Sequence, residues 1–163
     1  MSLDNFSYHM PTKIIYGRNS LKDIDIYINH RKALLVTSQG FVKRGLVDEI
    51  VTYTNNIVGV ISSIKSHPEF VDIEEIYSQA YQNQFELIIA IGGGSVMDVA
   101  KFISVHNTNK DYQFVEDLTK EKILKKDYKI IPIISIPTTA GTGSEVTPYS
   151  TIWDVQEKQK YSL

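Results

Sequence analysis

Short apolar runs, separated by stretches in which hydrophobic residues recur at a helical period, set the plan of this chain. Residues 87–91 (LIIAI) form an uninterrupted apolar run, the pattern of a strand buried on both faces of a parallel sheet. Residues 32–37 (KALLVT) read the same way, residues 57–62 alternate weakly as a third strand, and residues 130–136 (IIPIISI) supply a last one. Pro132 cannot donate a ladder hydrogen bond, which places that last strand at a sheet edge or delays its start. An earlier strand is expected over residues 13–16, entered through a bend at Pro11 and closed by Gly17. Helical periods fall between these runs. One runs from a Ser20 cap to about Ile28, and one covers residues 41–53 with Val42, Leu46, Ile50 and Val51 inward. Another covers residues 71–83 on Ile73, Ile76, Tyr77 and Ala80, and a fourth follows residue 94 on Val96, Val99, Ala100 and Ile103. Residues 106–128 turn polar, with a short helix expected near 116–122, and residues 147–154 and 158–163 read as the arms of a hairpin around 155–157. Strands alternating with helices at this spacing argue for an α/β fold: an open, mostly parallel sheet with helices on both faces, plus a terminal β-hairpin.

The 163 residues, 42% of them hydrophobic, suffice for one core, so residues 1–163 read as a single domain. A formal net charge of −2 provides no broad field for nucleic acid or an acidic membrane surface, and neither is an expected partner. The absence of cysteine excludes disulfides, thiolate metal sites and cysteine nucleophiles, and agrees with a cytoplasmic location. Asp4, Asn5 and His9 stand where a secretory signal would need an apolar stretch, and no segment approaches the roughly 18 apolar residues of a membrane span. His9, His30, His67 and His106 stand singly, without ligand spacing, and read as surface or structural residues.

Chemistry gathers first in residues 85–105, FELIIAIGGGSVMDVAKFISV. A buried strand stops at Gly92, Gly93 and Gly94, where missing Cβ atoms allow a sharp turn and the close approach of a ligand. Ser95 reads as the N-cap of the next helix and Asp98 as its capping-box partner. A helix N-terminus aimed at such a turn concentrates unpaired amides and the positive end of the helix dipole, which suits a phosphate or pyrophosphate. The plain alternative is a glycine turn of no chemical consequence. A P-loop is excluded because Val96 and Met97 stand where Lys and Ser or Thr are needed, and Met97 also breaks the G-x-G-x-x-G fingerprint. A second loop, residues 137–147 (PTTAGTGSEVT), sets Thr138, Thr139, Thr142 and Ser144 around Gly141 and Gly143, giving donors and acceptors for a ribose, a base edge or a phosphate. Both loops would emerge at the carboxyl ends of parallel strands, where such sheets bind ligands.

GGGSVMDVAK at residues 92–101 and PTTAGTGSEVT at residues 137–147 match the two hallmark stretches of the iron-containing (group III) alcohol dehydrogenases. The chain resembles the N-terminal, Rossmann-like nucleotide-binding domain of that family, and PTKIIYG at 11–17 and KALLVTS at 32–38 extend the likeness. The resemblance implies NAD(P)-dependent hydride transfer between a nicotinamide dinucleotide and a small alcohol or aldehyde. It implies that Gly93, Gly94 and Ser95 hold the pyrophosphate, Thr138, Thr139 and Thr142 the adenosine side, and Lys160 a cofactor ribose, while Asp98 lines the cleft near the nicotinamide. On the residues alone, Asp98 is equally a helix cap and Lys160 a solvated hairpin lysine. Ser38 stands where NAD-using members often carry an acidic residue for the adenosine 2′-hydroxyl; with Lys43 and Arg44 nearby in sequence, NADP stands beside NAD as the expected cofactor.

The resemblance also implies a divalent iron, held by an aspartate and three histidines of a second, helical domain for which this sequence has no counterpart. The chain is therefore expected to bind cofactor without carrying out the reaction alone, to be part of a longer enzyme, and to form homo-oligomers through the face the second domain would close. TIWD at 151–154 and KYSL at 160–163 resemble members that reduce phosphonoacetaldehyde to 2-hydroxyethylphosphonate, with a general short-chain alcohol or butanol substrate as the alternative. Glycerol dehydrogenase and dehydroquinate synthase share a triple-glycine turn, against which the PTTAGTGSEVT loop argues. A stand-alone, non-catalytic nucleotide-binding module is the reading from a different class.

Overall fold

The computed structural model describes Ser7, residues 9–106 and residues 129–162. Four parallel strands form one sheet: β1 (Ala33–Val36), β2 (Ile57–Ile61), β3 (Leu87–Gly92) and β6 (Ile133–Pro137), in the order β2-β1-β3-β6. β1 and β3 are buried along their whole length, as uninterrupted apolar runs in a parallel sheet require. Their alternate residues feed two cores. Leu34, Val36, Ile88 and Ala90 pack with α4 (Phe70–Ala80) and α5 (Gly94–Ser104), whereas Ala33, Leu35, Leu87, Ile89 and Ile91 pack with Ile24 and Ile28 of α1 (Ile24–Ile28) and Ile50 of α3 (Leu46–Tyr53). The sheet is thus covered on both faces, as the alternation of strands and helices predicts.

The elements depart from the sequence reading at particular residues. Residues 13–16 form no strand: among the described residues none offers them a ladder, and Ile14 and Tyr16 are 66% and 99% exposed. The Ser20 helix is a 3-10 turn, Ser20–Asp23, running into α1, and its N-cap is Asn19 rather than Ser20. The helix expected over residues 41–53 is two, α2 (Gln39–Lys43) and α3, broken at Gly45 with φ of +76°. That break resets the helical phase, so Val47 packs inward beside Leu46 and Ile50 while Val51 is 43% exposed. α4 begins in a reciprocal capping box between Glu69 and Asp72. The last apolar run is divided at Ile131 and Pro132: β5 (Lys129–Ile130) pairs antiparallel with β4 (Val105–His106), and β6 starts after the proline at the sheet edge. The helix expected near 116–122 lies outside the described residues.

The terminal hairpin forms as expected, β7 (Thr151–Asp154) against β8 (Gln159–Ser162). It docks on the start of α4, where the Trp153 amide donates to Pro68 O at 3.0 Å, and His67 and Phe70 meet Trp153 and Tyr161 edge to face. The loop between β6 and β7 is consequently held at both ends, by the sheet and by the hairpin.

Candidate dinucleotide site

The carboxyl ends of β1, β3 and β6 lie side by side. Thr37, just past β1, is buried and donates its hydroxyl to Ile91 O at 2.8 Å, while the Thr138 amide, just past β6, donates to Gly92 O at 3.0 Å. These bonds fix the two strand exits against the glycine turn. None of Gly92, Gly93 or Gly94 has positive φ, so the turn does not need glycine for its dihedrals. It needs glycine for room. A Cβ on Gly92 would stand 2.5 Å from Val96 Cγ2, one on Gly93 3.2 Å from Thr139 Oγ1, and one on Gly94 2.9 Å from Thr142 Cγ2. The second loop therefore lies directly on the first, with Thr139 over Gly93 and Thr142 over Gly94.

α5 starts two residues earlier than the capping-box reading requires. Its N-cap is Gly93, no side chain caps it, and Ser95 falls inside the first turn. Asp98 is engaged elsewhere: its Oδ1 accepts from Ser144 Oγ at 2.6 Å and lies 3.6 Å from the Lys101 ammonium. The local i, i+3 pairing of Ser95 with Asp98 thus gives way to a partner in the second loop. The consequence is that the Gly94 and Ser95 amides, which precede the Val96 and Met97 amides that donate to Gly93 O at 3.1 Å, have no side-chain cap. With Gly93 and Gly94 leaving a cradle that a side chain would fill, this end of α5 fits a dinucleotide pyrophosphate.

Lys101 was not singled out by sequence, although it closes the first hallmark stretch. Its ammonium donates to Ser144 Oγ at 2.7 Å, Thr147 Oγ1 at 3.4 Å and Tyr149 O at 2.5 Å. Burial pushes its pKa below the ordinary lysine value, opposed by the Asp98 carboxylate and by Glu145. Ser150 Oγ adds a bond to Asp98 O at 2.7 Å. Gly94, Asp98 and Lys101 stand at i, i+4 and i+7, one face of α5, and the second loop is bound along that face.

Of the other predicted residues, Ser38 lies two residues past β1 and is the N-cap of α2, where its carbonyl accepts from the Phe41 and Val42 amides at 3.0 and 3.3 Å. Beside it, Arg44 stacks on Phe41 with the guanidinium carbon 4.4 Å from the ring centroid. A Cβ on Gly40 would lie 3.6 Å from one Arg44 nitrogen and 3.8 Å from Ser38 Oγ, which sets the guanidinium and the serine hydroxyl around the same point of α2. Lys160 is not drawn to the glycine turn; its ammonium lies 5.3 Å over the Trp153 ring in the hairpin. Among the described residues no three His, Cys, Asp or Glu side chains gather to hold a metal, so these residues do not fit the iron implied by the resemblance. No helix among them is long and apolar enough to cross a membrane.

The sequence pattern of the iron-containing alcohol dehydrogenases matches residues 11–163. The chain is 29% identical to a probable NADH-dependent butanol dehydrogenase of Bacillus subtilis and 33% identical to an NADPH-dependent butanol dehydrogenase of Clostridium saccharobutylicum, with 96% of this chain and 41% of each relative aligned. Its fold superposes on a sulfoacetaldehyde reductase from Bifidobacterium kashiwanohense, solved in complex with NAD+, with a TM-score of 0.83, 27% identity, and 98% of this chain against 43% of the other. The chain spans about two fifths of the length of the curated relatives it matches. With both hallmark stretches inside the matched region and brought into contact by the fold, the chain belongs to the iron-containing alcohol dehydrogenase family.

Proposed function

We propose that this chain is the part of an alcohol dehydrogenase that binds the nicotinamide dinucleotide, with the pyrophosphate on the amides of Gly93, Gly94 and Ser95. The observation that carries this reading is the uncapped N-terminus of α5 beneath Thr139 and Thr142. Those hydroxyls and that of Thr138 provide donors and acceptors for the adenosine side. The bound dinucleotide supplies the hydride exchanged with the alcohol carbon. Asp98 contributes by anchoring the second loop at the cleft wall through Ser144. NADP is the preferred cofactor in this reading, because no carboxylate stands at Ser38 to repel a 2′-phosphate and both Ser38 and the Arg44 guanidinium border Gly40.

The test is a titration of the purified chain, stripped of nucleotide, with NADPH and NADH by calorimetry. Saturable binding, tighter for NADPH and weakened at least tenfold by Ser95→Trp, supports the reading; absence of binding at millimolar nucleotide refutes it. Lys160 acts on the cofactor ribose in this reading only by leaving Trp153.

The substrate we propose is a two-carbon aldehyde with an anionic head group, phosphonoacetaldehyde in the first instance. Residues 151–154 and 160–163 support it, as does likeness to a protein described as a sulfoacetaldehyde reductase. An enzyme in which this chain is joined to the family's metal-bearing part should then show kcat/KM at least tenfold higher for phosphonoacetaldehyde than for butanal. Equal values would end the substrate proposal and leave the cofactor reading intact.

A further inference from the structure

We infer that Lys101 is a positioning residue for cofactor binding: it latches the second loop along α5 and so sets Thr142 over the pyrophosphate turn. The inference rests on the dinucleotide reading above and extends it to a residue that touches no part of the proposed ligand. The geometry forms one continuous chain of contacts. Lys101 Nζ donates to Ser144 Oγ at 2.7 Å, the Ser144 amide donates to Thr142 Oγ1 at 3.3 Å, and the Thr142 methyl stands 2.9 Å from where Gly94 would carry a Cβ.

Both ends of that chain lie on the same helix. Gly94 and Lys101 are seven positions apart, two helical turns or about 10 Å of rise. α5 therefore acts as a ruler: whatever fixes Ser144 against Lys101 also fixes Thr142 against Gly94. The latch has a specific chemistry. Ser144 Oγ accepts from the ammonium and donates its own proton to Asp98 Oδ1, so one hydroxyl joins a cation and an anion on one helix face. Tyr149 O and Thr147 Oγ1 take further donor capacity of the ammonium, which holds the far side of the loop as well. The ammonium and the carboxylate are mostly enclosed, with side-chain exposures of 15% and 18%, and water competes poorly for these bonds. A methionine would keep the stem's length and packing and remove the donors.

The test compares Lys101→Met, Ser144→Ala and the double variant with the native chain, by calorimetric titration with NADH and NADPH and by hydrogen exchange without nucleotide. Expected are a loss of affinity of about tenfold or more for both nucleotides in each single variant, and no more than about threefold further loss in the double, because the two act through one contact. Expected also is at least tenfold faster exchange of the Ser144, Val146 and Thr147 amides in Lys101→Met, with the Ile88–Ala90 amides of β3 unchanged. Affinity within twofold of native in Lys101→Met, or losses that multiply in the double variant, would overturn the inference while leaving the cofactor reading standing. A native chain that binds neither nucleotide refutes the functional reading and the cofactor half of this one; the exchange experiment then still decides the latch. Should Lys101→Met fail to fold, Ser144→Ala removes one hydroxyl only and is held to the same exchange criterion.

Discussion

Gly94→Ala asks whether the glycine turn is built to accept the second loop. The added methyl would stand 2.9 Å from Thr142 Cγ2 and 3.2 Å from its Oγ1, closer than packed carbon atoms tolerate. Overpacking of this kind costs about 1–3 kcal/mol. Against it stands the gain of replacing glycine in a helix, at most about 1 kcal/mol. The net is a destabilisation of roughly 0.5–2 kcal/mol, a melting temperature about 1–8 °C lower for a chain of this size. Cofactor affinity should fall more steeply, by about tenfold or more, since relief of the clash lifts Thr142 away and the methyl narrows the approach to the amides. Thr142→Ala separates the two effects: it removes both close atoms, so that a methyl at residue 94 meets only Cβ at 3.4 Å, an ordinary contact. The double variant should melt no lower than Thr142→Ala alone, while affinity recovers only as far as loop displacement caused its loss. Melting curves and nucleotide titrations of the four chains complete the cycle. If Gly94→Ala is as stable as the native chain, or if the two changes simply add, the loops are not in the contact described and the close-approach argument fails.

Three other perturbations probe the scaffold around the site. Hydrogen bonds from Thr54 and then Asn56 hold the Asp25 pKa below its ordinary value, so the folded state gains stability above the unfolded value near 3.9 and loses it as pH falls through the folded one; the acid-side drop in melting temperature should shrink in Asp25→Asn, and parallel curves from about pH 5 to pH 2 would contradict this. Gly45 has φ of +76° with open space around it, so Gly45→Ala should cost about 1–2 kcal/mol from backbone strain alone and Gly45→Asn less, a ranking that melting curves check. Trp153 is the chain's one tryptophan and carries the Lys160 ammonium above its ring, so Lys160→Met should change its fluorescence, and nucleotide binding should change native emission in a way that Lys160→Met lacks if the lysine moves to the ribose; identical spectra would remove Lys160 from the site.

The strands of the sheet were legible because burial on both faces leaves a mark that needs no partner to read: LLV and LIIAI admit few polar atoms wherever they sit. Pro132 was legible for the same reason, since a missing amide limits a strand in any context. The errors cluster where the outcome depended on something distant or on phase. Residues 13–16 have a strand's composition, but a strand also needs a neighbour, and among the described residues the edge strand β2 pairs only with β1. One unbroken helical period from Val42 through Gly45 would turn Val51 inward, but one left-handed residue between them turns the rest of the face. Arg44 was in reach of inference, being named with Lys43, but only its stacking on Phe41 separates the two.

Asp98 is the instructive case, because the mistake bears on function. Sequence reasoning pairs residues three apart, so Ser95 and Asp98 pass for a capping box, whereas the partner that the fold supplies is Ser144, 46 positions away. Had the local box formed, side chains would satisfy the Ser95 and Asp98 amides, and Asp98 would be held within its own helix. Drawing Asp98 along the helix to Ser144 and Lys101 leaves the Gly94 and Ser95 amides uncapped and at the same time brings Thr142 over Gly94. In the proposed dinucleotide reading, one carboxylate thereby does two things with a single contact: it leaves the anion position open and places the wall that would enclose it. That trade is invisible to any pattern of local spacing. It is also why the two hallmark stretches, 36 residues apart between Lys101 and Pro137, read as one site only after the sheet has set them side by side.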